Sequence, residues 1–198
     1  IQKAVEEHFI KESKLKDAGI KVLSLFFIDR VANYRDYDSS GNIIKGKFAE
    51  WFEEIFNIYQ KKYSSLLNHE IDKVHNGYFA QDKTGKYKDS KTGESKEDDD
   101  TYHLIMKDKE RLLDINEPLR FIFSHSALRE GWDNPNVFQI CTLNETTSEM
   151  KKRQEIGRGL RLCVDQSGIR VRDKNINRLT VFANESYEDF ASKLQKEI

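Results

Sequence analysis

The run Ile20-Lys21-Val22-Leu23-Ser24-Leu25-Phe26-Phe27-Ile28-Asp29 constrains this chain more than any other stretch. It is far too short to cross a membrane, which takes about 20 apolar residues. It is also too continuously apolar for a strand with one wet face. Such a run fits a strand of a parallel sheet, buried on both faces because helices cover each side. Further strand signals follow at Leu119–Phe123 after Pro118, at Val137–Leu143 after Pro135 and at Arg178–Ala183.

Helical patterns lie between these runs. Ile1, Val5 and Phe9 recur at fourfold spacing until Ala18-Gly19 stops the first helix. Phe48, Trp51, Phe52, Ile55, Phe56, Tyr59, Tyr63, Leu66 and Leu67 make the clearest stripe of the chain. Tyr102–Leu113 and Thr146–Arg158 read as two more helices. Ser186 with Asp189 opens a last one, striped by Tyr187, Phe190, Ala191 and Leu194. Strands alternating with helices predict an α/β fold built on a parallel sheet. Residues 34–105 show no clear parallel strand and read as a mostly helical insertion, in which 81–100 is polar and solvated.

Composition narrows the function classes. Lys and Arg total 33 against 34 Asp and Glu, which argues against a globally basic nucleic-acid wrapper but permits a local patch. Cys141 and Cys163 sit in apolar runs and read as reduced core residues of a cytoplasmic protein. No CxxC pair occurs and the 5 histidines are scattered, so no metal site is expected. The chain starts at Ile1, in mid-helix and without a secretory leader, and is expected to be a fragment of a longer one.

Several motif-like strings lack the context their chemistry needs. Gly41-Asn42-Ile43-Ile44-Lys45-Gly46-Lys47 has phosphate-loop spacing, but Phe48 stands where a Ser or Thr should reach magnesium, and no strand precedes it. Asp29 ends an apolar strand as a metal-binding Asp would, yet it comes before the glycine loop. Glu94-Ser95-Lys96 and Asp98-Asp99-Asp100 lie in the polar stretch, without the rigid frame a metal-dependent nuclease requires.

Two segments carry more chemistry. Phe121 to Pro135 runs from a strand into Ser124-His125-Ser126 and then Gly131-Trp132-Asp133. Ligands of open α/β sheets bind at the carboxyl ends of strands, and this segment is expected there. Gly131 allows close backbone approach and Asp133 can accept from a ribose hydroxyl; a plain strand-to-loop turn is the simpler alternative. In Gln154-Glu155-Ile156-Gly157-Arg158-Gly159-Leu160-Arg161, two arginines three apart can converge on one anion. The alternative there is a basic helix face whose arginines complement the helix dipole. Glycines cost helix stability, and a purely structural helix has little reason to carry Gly157 and Gly159.

Gln154-x-x-Gly157-Arg158-x-x-Arg161 resembles motif VI of superfamily 2 helicases, and Glu130 to Pro135 resembles their motif V. Ile20–Arg30 matches the motif IV region at the first strand of the second RecA-like lobe. Phe123–Asp133 and Val31-Ala32-Asn33-Tyr34 are similar to the Res subunit of type III restriction-modification enzymes, as are the Gly77-Tyr78-Phe79 and Asp98–Tyr102 stretches.

The resemblance implies a RecA-like parallel sheet flanked by helices, the second motor lobe of an ATP-dependent endonuclease, spanning 1–198. Arg158 and Arg161 would meet the γ-phosphate of ATP, and Gln154 would orient water or touch that phosphate. Gly131, Asp133 and Gly157 would line the nucleotide, and Ser124, His125 and Ser126 would lie near DNA. Glu155, where many relatives have arginine, would leave one cation fewer at the cleft. Mg2+ and most of the ATP site would belong to the first RecA-like lobe of the same chain. Double-stranded DNA and a methyltransferase (modification) subunit would be the partners. A nucleic-acid-binding α/β module using Lys151–Arg161 as a phosphate patch, or another superfamily 2 remodeller, is the alternative.

Overall fold

The computed structural model describes residues 1–80, 84–87, 89, 103–125, 132–144, 148–183, 190, 192–193 and 196. The chain opens with α1 (Gln2–Leu15), followed by a 3₁₀ turn at Lys16–Ala18 that Gly19 ends at φ 64°. Strand β1 (Leu23–Ile28) is buried along its whole length. The hairpin β2 (Arg35–Tyr37) and β3 (Ile43–Lys45) leads to α2 (Lys47–Lys62). A single turn α3 (Ile71–Val74) runs into β4 (His75–Tyr78). A π-helical turn (His103–Lys107) and α4 (Lys109–Leu113) precede β5 (Phe121–Ser124). Then come β6 (Val137–Leu143), α5 (Glu149–Gly157) and β7 (Thr180–Phe182).

Five strands form one parallel sheet in the order β4-β5-β1-β6-β7. The α/β fold expected from the alternating runs is therefore present, with helices on both faces. The alternation of β1 shows why. Phe26 and Ile28 face a cluster with Val5 and Phe9 of α1 and Phe52 and Phe56 of α2. Leu23, Leu25 and Phe27 face the other side, with Leu112 of α4, Leu104, Ile105 and Trp132. Both faces of β1 are dry, so its sequence reads as a continuous apolar run.

Three expectations need correction. The 34–105 region does contribute a parallel strand: β4 pairs with β5 from His75↔Phe121 to Tyr78↔Ser124. Its sequence is His-Asn-Gly-Tyr because it lies at the sheet edge. There His75 Nδ1 lies 2.8 Å from the Tyr34 hydroxyl and its Nε2 3.1 Å from Glu53, which tie the hairpin and α2 to the sheet. The expected helix from Tyr102 to Leu113 is broken at Asp108, whose carboxylate accepts from Arg111 N at 3.1 Å and caps α4. Trp51 points outward at 48% exposure, although it belongs to the apolar stripe of α2.

The phosphate-loop lookalike is a turn and a helix start. Asp38 accepts from the backbone N–H of Ser40 and Asn42, both at 2.8 Å, to close the hairpin. Gly46 precedes α2 so tightly against the chain that a Cβ there would lie 2.2 Å from the Ala32 carbonyl oxygen. Asp29 accepts from Arg30 N and Asn33 Nδ2 at 2.9 and 2.6 Å, as a turn cap. Glu94-Ser95-Lys96, Asp98–Asp100 and the start of the last helix at Ser186 lie outside the described residues. Among the described residues, no helix is long and apolar enough to cross a membrane.

Candidate nucleotide-facing site

The two motif-bearing segments meet. After β6 the chain must return across the sheet so that β7 can run parallel to it, and α5 makes that return. Ser148 caps α5 by accepting from Lys151 N at 3.3 Å. Past its far end, Val164 exchanges hydrogen bonds with Asn136, at 2.8 and 3.0 Å. Asn136 in turn sits at the amino-terminal end of β6, where its carbonyl accepts from Leu23 N. Arg158 and Arg161 therefore lie on the amino-terminal side of the sheet.

Asp133 reaches the same place from β5. β5 ends at Ser124, and Asp133 lies four residues before β6 begins at Val137. Asp133 Oδ2 accepts from Arg161 Nε at 2.8 Å, and its Oδ1 accepts from Lys109 Nζ at 3.3 Å. Arg161 Nη1 also donates to the Gly157 and Leu160 carbonyls, at 3.2 and 2.9 Å. Arg158 Nη1 donates to the Trp132 carbonyl at 2.8 Å, while the Trp132 indole donates to Ile105 O at 2.8 Å. The hydrogen bond from Arg161, opposed by partial burial and assisted by Lys109, holds the Asp133 carboxyl below its ordinary range. A carboxylate that accepts charged hydrogen bonds stays ionised.

The expectation that this whole segment sits at the carboxyl edge of the sheet is thus half right. Ser124 and His125 are there; Asp133, Arg158 and Arg161 are not. The carboxyl-edge rule concerns ligands held by the loops of the sheet itself. The arginines, expected near that edge for a nucleotide-serving role, lie on the opposite one, which counts against that expectation. Ser124 is buried, with no hydrogen-bond partner for its hydroxyl among the described residues, so it offers nothing to DNA as it stands. His125 is partly exposed, 4.0 Å from Asp89. The structure does not bring these two residues to the arginines. Ser126 and Gly131 lie outside the described residues.

Gln154 is exposed on α5. Glu155 is buried and accepts from Asn144 Nδ2 at 3.4 Å, which anchors α5. The two glycines separate cleanly. A Cβ at Gly159 would lie 2.4 Å from Leu179 Cδ1, so Gly159 does have a packing reason, contrary to expectation. At Gly157 nothing lies within 4 Å of that position, and the space is open. Lys109 escaped sequence reasoning. It is 24 residues from Asp133, and no spacing rule links a lysine on one short helix to a carboxylate that far along. Among the described residues, no group of three or more His, Cys, Asp or Glu could hold a metal ion.

These features define an α/β protein whose parallel sheet is compatible with a RecA-like lobe and whose surface holds an arginine–carboxylate cluster. Known proteins agree with the motif resemblance. The type III restriction-modification enzyme EcoPI Res subunit of Escherichia phage P1 and the EcoP15I Res subunit of Escherichia coli are each 42% identical to 96% of the chain. The StyLTI Res subunit of Salmonella typhimurium is 35% identical over the full length of the chain. This chain is a homologue of part of the type III Res subunits. It spans 19–22% of the length of these relatives. No family model and no solved structure matches it.

Proposed function

We propose that the chain is the second RecA-like motor lobe of an ATP-dependent type III restriction endonuclease. The observation that supports this most is that the half-exposed Arg161 pairs with Asp133 while Arg158 donates to the adjoining Trp132 carbonyl, which joins the two motif-bearing segments. In this reading ATP is gripped by a first RecA-like lobe of the same protein, and Arg158 and Arg161 complete the site when the lobes close. Their guanidinium groups stabilise charge on the transferring phosphoryl group, a contribution of about 10³–10⁵-fold for such arginines. Gln154 orients the attacking water. Gly157 leaves room for the nucleotide, and Asp133 with Gly131 faces its ribose. Magnesium is held mainly by the first lobe in this reading.

Loss of the γ-phosphate lets the lobes part, and that cycle moves or switches the protein on double-stranded DNA. Site recognition falls to a modification subunit and strand cleavage to a separate domain. The protein works in the cytoplasm. The isolated chain, without the phosphate-gripping lobe, neither hydrolyses ATP nor cuts DNA. ATP turnover by the pure 198-residue chain that Arg158→Ala abolishes would overturn this.

The phosphate-patch reading of Lys151–Arg161 has less support. Lys152 is buried, Arg153 stacks over the Phe190 ring, and Arg161 already pairs with Asp133. Arg161→Ala in the full-length protein separates the two. Lost ATPase with retained DNA binding supports the motor; salt-sensitive loss of DNA binding with intact ATPase supports the patch.

A further inference from the structure

Arg161 spends its donors on its own chain. Its Nε serves Asp133, and its Nη1 serves two carbonyls, Gly157 and Leu160. A guanidinium has five N–H groups in a fixed fork, and gripping a phosphate bidentately uses two neighbouring nitrogens. With Nε and Nη1 occupied, only Nη2 is left to face outward. To take a phosphate as a fork through its Nε–Nη2 edge, Arg161 must first let go of Asp133.

That release would leave an ionised, half-exposed carboxylate without its closest cation. One other cation already touches it. Lys109, the first residue of α4, places Nζ 3.3 Å from Oδ1, the oxygen that Arg161 does not use. Its side chain is half-exposed, at 42%, so it is not held there by burial. The two cations arrive from different elements and take different oxygens of the same group.

We propose that Lys109 is a positioning residue that keeps the Asp133 carboxylate neutralised and in place while Arg161 exchanges from Asp133 to a phosphate oxygen. An ammonium suits this task. It is a point charge that can hold one oxygen and leave the other to come and go, whereas a guanidinium fork would compete for both. Without Lys109, Arg161 is the sole counter-ion of Asp133, and its departure costs more. The inference rests on the motor-lobe reading of the same site.

Steady-state ATPase of the full-length protein with its modification subunit and target DNA tests this. Lys109→Met should raise the KM for ATP about threefold to fivefold, the scale of one half-exposed ion pair, with kcat nearly unchanged. Lys109→Arg should restore most of the wild-type KM. In an Asp133→Asn background, where no carboxylate waits to recapture Arg161, Lys109→Met should have no further effect. Lys109→Gln, which keeps a donor but no charge, guards against a packing defect and should behave like the Met variant, with both melting at the wild-type temperature. An unchanged KM in the folded variants overturns the proposal, as does an equal KM change in the Asp133→Asn background. The motor reading fails separately. If Arg161→Ala keeps full ATPase, both ideas fall; if it abolishes ATPase while Lys109→Met is silent, only the role of Lys109 does.

Discussion

Arg120 and Arg161 each hold a carboxylate on the amino-terminal side of the sheet, in opposite surroundings. Arg120 Nε meets Glu12 at 3.1 Å with the side chains 1% and 4% exposed; Arg161 Nε meets Asp133 at 2.8 Å with 47% and 35% exposed. Every arm of Arg120 is engaged: Nη1 donates to Glu117 O, and Nη2 to Ile115 O at 2.8 Å. Glu12 also accepts from Val22 N at 3.1 Å, so the pair ties α1 to the starts of β1 and β5. Burial pushes the Glu12 carboxyl above its ordinary range against the pull of Arg120, while the hydrogen bond from Arg161 pulls Asp133 below its own. The same chemical pair is a fixed strut in one place and an available contact in the other. Solvent decides which, because water is what a nucleotide or a lobe must displace.

The largest effect that could break this comparison is on catalysis. Arg161→Ala should lower ATPase of the full-length protein by about 10³–10⁵-fold. It should cost less than about 1 kcal/mol of stability, as exposed pairs do. A large drop in melting temperature would make Arg161 a strut like Arg120.

Arg120→Ala should cost about 3–5 kcal/mol, read from the urea midpoint, because it strands a buried carboxylate. Replacing both partners, with Arg120→Met and Glu12→Leu, should recover most of that loss.

The two glycines give a finer test. Gly159→Ala should lose about 1–3 kcal/mol by driving a methyl into Leu179. Gly157→Ala meets open space and should keep or gain stability by up to about 1 kcal/mol. If Gly157 lines the nucleotide, ATP affinity still falls.

The smallest effect is in titration. Carboxyl NMR should place Asp133 below and Glu12 above their ordinary ranges. Asp133, with its lowered folded value, contributes stability above the usual aspartate range and loses it as pH falls through that value. Glu12 does the reverse: its contribution is full in acid and fades as pH rises through the raised folded value.

How far the sequence revealed this arrangement depends on burial. β1 was legible because helices dry both its faces, and β5 and β6 for the same reason. The β4 edge strand was not, since Gly77 and Asn76 carry no apolar signal and the strand is defined only by its pairing with β5. The resemblance of Glu130–Pro135 and Gln154–Arg161 to two helicase motifs marked segments that do converge, at Asp133 and Arg161. Which edge they occupy was not legible, because it depends on how far the chain travels between Ser124 and Val137. Lys109 was invisible, as ion pairs between distant elements leave no periodic trace. Gly159 misled, because its neighbour Leu179 lies 20 residues on.

The strand order has a consequence for how such a chain is made. β1 precedes its strand partners by about a hundred residues yet occupies the middle of the sheet, where Ser24 pairs with Phe121 on one side and Gln139 on the other. Its partners leave the ribosome about a hundred residues later, so closing the nucleus demands contacts of high sequence separation, and assembly is slow. Until then the most apolar segment of the protein waits without its strand partners, which makes a nascent chain halted before Phe121 a natural client for a chaperone.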